Sequence, residues 1–337
     1  VVVPTANGVA HPPLLMLLAD GQVHSGQRLA GRLGISRAAV WKSVERLREL
    51  GIDVQSLARR GYRLPRPVEL LETPRMLAEL APAAMPCLRR LELLLDVGST
   101  NTRLLAQPPP PIGICDVCAS ELQHAGRGRR GRPWLAPFGS GVAMSVAWTF
   151  SDAARALPAL SLGVGVAVVR ALERAGAGDI ALKWPNDIWF RDRKIGGVLI
   201  ELRAEAGGPA HVVIGVGVNV SLAPEARQAL EATGVRVAAV ADACVAVPSR
   251  NAIAGAILDE LLSMLAGFER AGFAPFRDAW LKLDGLRGRR VRVSGDTGVA
   301  GIARGADLDG ALLLEVDGST QRIVSGEASL RLAEGDI

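Results

Sequence analysis

Apolar positions recur at helical spacing over the first 66 residues, then mostly at strand spacing, with a few longer helical stretches between. Leu14-Leu15-Met16-Leu17-Leu18 predicts a short helix stopped by Asp20-Gly21. Ser25 can cap a second helix that ends at Leu33, with Leu29 and Leu33 one turn apart. Gly34 makes the turn, and Ser36 caps a third helix through Leu50. Its inward face is Val40, Val44, Leu47 and Leu50, while Arg37, Lys42, Arg46 and Arg48 stay on the polar side. Ile52-Asp53-Val54 and Gly61-Tyr62-Arg63-Leu64, separated by Arg59-Arg60, predict a hairpin. Helix, glycine turn, helix and basic hairpin are the parts of a winged helix-turn-helix. A helical hairpin used only for packing would not need those charges.

Pro65, Pro67 and Pro74 mark a stiff junction, so the first domain is set at 1–66. The next, 67–284, reads as an α/β mixed-sheet domain. Its strand candidates are Leu91–Val97, Ile112–Glu121, Gly141–Thr149, Ile180–Lys183, Asp187–Phe190, Ile195–Arg203 and Val212–Val220. Helical patterns cover Ala156–Ala175, Ile253–Ala271 and Pro275–Lys282, whereas 221–250 has no clear period. The last domain, 285–337, holds short strands at Val291–Val293, Val299–Ala303, Ala311–Val316 and Gln321–Val324. Gly/Asp turns such as Gly295-Asp296 and Asp309-Gly310 join them, predicting a small β-barrel of about five strands.

Composition narrows the function. Residues 25–66 carry ten Lys/Arg against three Asp/Glu, a net charge of +7 within a chain whose total is +5. The basic character therefore belongs to one end, the footprint of a nucleic-acid module joined to something else. Ser36, Arg37, Lys42, Arg46, Arg59 and Arg60 are the candidate DNA contacts. The longest apolar stretch, Ala156–Ala171, is broken by Pro158 and Arg170 and falls short of a membrane span. Val-Val-Val-Pro at the start lacks the basic region of a secretory signal. Cys115 and Cys118 form C-x-x-C with no second pair, so core thiols are expected and no metal site is assigned. These readings predict a cytoplasmic protein with no membrane partner.

The chemistry concentrates in Gly126–Trp134, where four arginines, three glycines and a tryptophan fall within nine positions. Arginine grips carboxylate or phosphate through a planar fork, and tryptophan offers a face to a ring. The stretch predicts a mobile loop closing over an anionic, ring-bearing ligand. It also satisfies G-x-G-x-x-G, but Pro133 and Pro137 deny the helix that a dinucleotide fingerprint requires. No P-loop motif is present. Lys183-Trp184-Pro185-Asn186-Asp187 and Lys194-Ile195-Gly196-Gly197 form a second cluster, Gly98-Ser99-Thr100-Asn101 a third, and Gly215-Val216-Gly217-Val218-Asn219 a fourth.

In this order the clusters resemble the biotin protein ligases of the bifunctional type that also repress biotin synthesis, from about Leu14 to Leu332. The resemblance implies a class II synthetase-like catalytic domain, an N-terminal winged helix-turn-helix and a C-terminal SH3-like barrel. It implies biotin and ATP as substrates with Mg2+, and biotinyl-5′-AMP as bound intermediate and corepressor. Partners would be a biotin carboxyl carrier protein of acetyl-CoA carboxylase, operator DNA, and a second copy when adenylate is bound. By the same analogy Ser99, Thr100, Asn101 and Gln123 hydrogen-bond the ureido ring. Gly126, Arg127, Gly128 and Arg129 surround the carboxylate and phosphate, with Lys194 at their junction. Arg130, Arg132, Trp134, Asn186, Gly197 and Asn219 hold the adenylate, with Trp134 on the adenine. Lys194, Arg129, Asp187 and Lys183 are the catalytic candidates, Asp187 orienting the incoming carrier lysine. No work is assigned to His11, His24, His124 or His211. A lipoate-type ligase would lack the Gln123–Trp134 pattern and the DNA-binding end. A regulator that only senses a ligand would not need Lys183, Lys194 and four loop arginines together.

Overall fold

The computed structural model describes residues 11–152, 159–204, 208–294, 299–324 and 329–332. The start of the expected Ala156–Ala175 helix and the Gly295-Asp296 turn lie outside the described residues. At the N-terminal end α1 (Pro13–Leu18), α2 (Gly26–Leu33) and α3 (Arg37–Glu49) pack around Leu15, Leu29, Val40, Val44 and Leu47. The hydroxyls of Ser25 and Ser36 each accept a backbone N–H at 3.1 Å, from Arg28 and Ala39. Gly34 ends α2 at φ +65°, a left-handed angle that a side chain would strain. The hairpin is β1 (Gln55–Leu57) and β2 (Gly61–Arg63). Its first strand thus begins three residues later than the pattern predicts. Ile52 and Val54 are consumed by the core, and Arg48 Nε donates to Val54 O at 2.9 Å. His24 and Tyr62 exchange backbone bonds at 2.9 Å, tying the hairpin to the start of α2.

The central domain contains α4 (Thr73–Leu77), β3 (Leu88–Val97), α5 (Thr100–Leu105), β4 (Cys115–Gln123), β5 (Gly141–Phe150) and α6 (Leu160–Arg174). It continues with β6 (Ile180–Lys183), β7 (Asp187–Phe190), β8 (Arg193–Ala204), β9 (Ala210–Asn219), α7 (Pro224–Glu231), α8 (Arg250–Ala271) and α9 (Ala274–Leu283). The seven-stranded sheet runs β3-β4-β5-β9-β8-β7-β6; β3 pairs with β4 in parallel and every other neighbouring pair is antiparallel. β4 starts at Cys115 rather than Ile112, which is exposed. One sheet face sends Val142, Val146, Trp148, Ile214 and Val218 into the main core, which α6 and α8 share. α8 is long and apolar enough to cross a membrane, yet 67% of its most apolar window is buried, as befits a core helix. The opposite face carries α5, whose Leu104 covers Cys118, Ala147 and Val213.

The C-terminal strands β10 (Arg290–Ser294), β11 (Ala300–Ala306), β12 (Leu312–Val316), β13 (Ser319–Ile323) and β14 (Ser329–Leu332) form one antiparallel sheet in the order β13-β12-β11-β10-β14. Val291, Ala303, Leu312 and Leu314 join the main core, and Trp184 Nε1 donates to Gly310 O at 2.9 Å. That sheet therefore braces the β6–β7 hairpin from behind. At the other junction, Leu95, Leu122 and Phe138 of the central domain pack with the N-terminal core. Beside them Arg250 and Glu121 form a buried ion pair at 2.8 Å.

Candidate functional site

The α5 face of the sheet has a floor made of glycines. A Cβ on Gly215 would stand 2.4 Å from Asn101 Oδ1, and one on Gly217 would stand 2.4 Å from Trp134 Cε2. Only bare backbone lets both groups lie on β9. β9 pairs Gly217 with Gly197 of β8, so the floor spans two strands.

Above Gly215 the groups are neutral. Thr100 donates to Gln123 Oε1 through its backbone N–H at 2.8 Å and its hydroxyl at 3.2 Å. Ser145 Oγ lies 2.6 Å from both Thr100 Oγ1 and Asn101 Oδ1. Ser99 caps α5 and is itself buried.

Above Gly197 and Gly217 the groups are charged. Lys194 Nζ pairs with Asp187 at 2.7 Å and lies 5.7 Å from the Trp134 ring centroid. Arg127 lies instead at the Asn101 end, held at 3.0 Å by Glu201, which stands opposite Val213, and at 3.0 Å by Thr102 Oγ1. Burial pulls the Arg129 guanidinium below its ordinary value, and repulsion from Arg130 and Arg132 adds to this while Asp187 opposes it. A cation in that setting gains from an arriving anion. The loop is compact: Gly128 N–H donates to Arg132 O at 2.7 Å, and Trp134 N–H to Gly126 O at 2.9 Å. It makes a 3₁₀ turn at Arg129–Gly131, with no dinucleotide-type helix after the glycines.

These groups line a cavity of about 120 Å³. It gathers Ser99, Thr100, Asn101, Gln123, Arg127, Gly128, Arg129, Arg132, Trp134, Asn186, Asp187, Lys194 and Gly197. The Asn186 side chain donates to Val198 O at 2.7 Å, so it also clamps β8. A second cavity of about 200 Å³ adjoins it across Trp134, walled by Leu135, Asn219, Leu230, Val235 and Val237. Asn219 donates to Ala238 O at 3.1 Å and holds that wall in place.

Three residues expected in the site do not line either cavity. Lys183 stands opposite the cavity-lining Asp187 in the β6–β7 ladder, but its Nζ lies over the Trp189 ring, 4.6 Å from the centroid, and not in the cavity. Arg130 is exposed at φ +58°, on the outer bend of the loop. Gly126 serves through backbone, since a Cβ there would stand 2.5 Å from Trp134 O. Sequence reasoning missed Ser145, Glu201 and the apolar wall Leu230, Val235 and Val237. Glu201 had a signal: it is the lone acid in Val198–Leu202, in step with Gly197 on the ligand side. The wall had none, because the 221–250 segment lacks a period.

At the N-terminal end, Arg37, Arg59, Arg60 and Tyr62 line a cleft between α3 and the hairpin, together with Trp41, which is 52% exposed. Lys42 and Arg46 are exposed outside that cleft, and the Ser36 hydroxyl is committed to its helix cap. Cys115 and Cys118 are buried free thiols, and burial pushes Cys118 up to about 12. His124 is exposed and pairs with Asp96 at 3.0 Å.

An HTH domain profile matches residues 14–63, the Biotin/lipoate A/B protein ligase family profile matches 100–219, and the biotin protein ligase C terminal domain profile matches 287–331. The bifunctional ligase/repressor BirA of Escherichia coli (strain K12) is 38% identical over 332 residues, covering 95% of this chain and 97% of that protein. The chain belongs to the bifunctional biotin protein ligase family. This ligase is also 37% identical over 249 residues to the biotin--[acetyl-CoA-carboxylase] ligase of Mycobacterium tuberculosis, covering 71% of this chain and 88% of that one. A biotin protein ligase from Aquifex aeolicus, solved in complex with biotin and ATP, superposes with a TM-score of 0.61 at 27% identity. That comparison covers 72% of the ligase described here and 99% of the Aquifex chain.

Proposed function

We propose that this ligase joins biotin to ATP as biotinyl-5′-AMP and passes the biotinyl group to a lysine of a biotin carboxyl carrier protein. In the first step a carboxylate oxygen attacks the α-phosphorus and the bond to the β-phosphate breaks, releasing pyrophosphate. In the second, the lysine nitrogen attacks the acyl carbon and AMP leaves. One observation carries the reading: a neutral hydrogen-bonding pole and a cationic pole share one glycine floor, with an apolar slot beyond Trp134.

Each pole suits one part of the ligands. A urea needs paired donors and acceptors without charge, which Ser99, Thr100, Asn101 and Gln123 supply. Charge builds on the carboxylate and phosphate, where Lys194, Arg127, Arg129 and Arg132 neutralise it. Trp134, Gly197, Asn186 and Asn219 take the nucleoside, with the adenine in the apolar slot. Asp187, already paired with Lys194, would receive the proton-bearing end of the carrier lysine. Mg2+ would come as part of MgATP, easing attack on the phosphate. Enclosure between loop and sheet would shield the mixed anhydride from water.

The N-terminal cleft would hold operator DNA, with Arg37, Arg59 and Arg60 on phosphates and bases and Trp41 against the groove. Biotinyl-5′-AMP would act as corepressor by favouring a homodimer. Domains at 1–66, 67–284 and 285–337, a class II synthetase-like sheet and an SH3-like C-terminal barrel complete the reading. A cytoplasmic setting goes with it, since ATP and operator DNA meet there. ATP–pyrophosphate exchange tests the enzyme: biotin should support it and lipoate should not. Exchange with lipoate alone, or with neither, would refute the assignment. For the DNA half, affinity for duplex should fall steeply with salt and rise with biotin plus ATP; salt-insensitive binding would count against it.

A further inference from the structure

Val198–Leu202 of β8 is apolar except for Glu201, and a carboxylate set among Val, Leu and Ile needs a reason. Glu201 stands opposite Val213 in the ladder, two positions along the same face from Leu199, which lines the cavity. Its side chain is 25% exposed. Oε2 accepts from Asn101 Nδ2 at 2.8 Å, while both oxygens accept from Arg127 Nη2 at 3.0 and 3.2 Å. An ionised carboxylate can only accept, so it fixes which end of the Asn101 amide faces it. The nitrogen turns to Glu201 and, more distantly, to Leu199 O at 3.4 Å, and Oδ1 is left over Gly215, within 2.6 Å of Ser145 Oγ. Asn101 is 3% exposed, so no solvent competes for that choice.

We propose that Glu201 is a positioning residue that locks the Asn101 amide with its oxygen toward the cavity, and thereby selects a neutral ligand bearing an N–H donor, the ureido head of biotin. The proposal rests on the biotin reading above and names how its head-group pole is held. Without Glu201 only the longer bond to Leu199 O still prefers the nitrogen, so the two amide orientations draw closer in energy, and one of them meets a ureido N–H with another N–H. Sites built to hydrogen-bond a substrate group discriminate because an unpaired buried donor is costly.

The test uses the full chain in ATP–pyrophosphate exchange, with inhibition by biotin methyl ester as a probe lacking the carboxylate that Arg127 would meet. Glu201→Gln offers both a donor and an acceptor and so releases the lock. It should raise KM for biotin about tenfold, roughly the worth of one misdirected buried hydrogen bond. KM for ATP and kcat should change little, and Ki for the ester should rise by the same factor as KM for biotin. The reversed pair Asn101→Asp with Glu201→Gln restores an acceptor over Gly215 and a donor–acceptor contact behind it, so it should recover most of the loss. An unchanged biotin KM in folded Glu201→Gln overturns the proposal. So does an ester Ki that stays put, which would route the effect through Arg127, or a reversed pair no better than either single change. Wild-type protein that shows no biotin-dependent exchange refutes the biotin reading instead, and this refinement with it.

Discussion

Gly217→Ala puts the proposed nucleotide pole to a direct test. The added Cβ would stand 2.4 Å from Trp134 Cε2, 2.6 Å from Cζ2 and 2.7 Å from Nε1. Carbon atoms in comfortable contact are about 3.5 Å apart or more, so the ring must retreat by roughly 1 Å. Its backbone cannot follow easily, because Trp134 N–H is bonded to Gly126 O and Arg127 bridges to Pro133. The ring therefore escapes by rotation, away from β9 and into the space beside Val235 and Val237. Gly217 is not among the glycines at positive φ, so the substitution adds no backbone strain to confuse the result. Overfilling a packed site costs about 1–3 kcal/mol, equivalent to roughly 5- to 150-fold in affinity. Exchange measured against ATP at saturating biotin should show KM for ATP raised within that range. KM for biotin should move much less, because the neutral pole sits over Gly215. A folded Gly217→Ala protein with the wild-type KM for ATP would remove Trp134 from the nucleotide site.

Three other outcomes follow from the geometry. Lys194→Ala should cut exchange by about 100-fold or more while calorimetric biotin binding survives, since its charge is needed where anionic charge develops; undiminished exchange would refute the role. Arg250→Met removes the guanidinium partner of Glu121, whose side chain has no exposed surface and, among the described residues, keeps only the Leu71 N–H at 2.6 Å and His11 at 3.8 Å. That should cost about 3–5 kcal/mol in denaturant unfolding, and a loss below about 1 kcal/mol would show the pair to be incidental. Burial raises the Asp284 carboxyl from 3.8 to about 6, so folding favours its protonated form. Its stabilising contribution is full below pH 4 and is lost as pH rises through about 6, a change of about 3 kcal/mol. Asp284→Asn should accordingly raise stability at pH 8 and leave it almost unchanged at pH 4; an equal effect at both would refute the ionisation argument.

Local chemistry decided much of this protein before any tertiary contact formed. Ser25, Gly34 and Ser36 set the helix ends of the N-terminal domain because caps and left-handed turns depend on one or two residues. Ile180–Lys183 and Asp187–Phe190 were legible to the residue, since a short apolar run on either side of a proline turn allows little else. The boundaries of β1 and β4 were not, because Ile52, Val54 and Ile112 are apolar for reasons that alternation does not reveal. The first two fill a core at a domain junction, whereas Ile112 is left exposed. The cationic loop and the Ser99–Asn101 turn announced an anion and a hydrogen-bonding head group from residue types alone. Only the sheet order decided that they face each other: β9 lies between β5 and β8, which brings Gly215 and Gly217 under Asn101 and Trp134. The same order placed Glu201 behind Asn101, while Lys183, though opposite Asp187, lays its ammonium on Trp189. Side-chain type is local information, but which partner an acid, an amide or a lysine meets depends on strand neighbours a hundred residues apart.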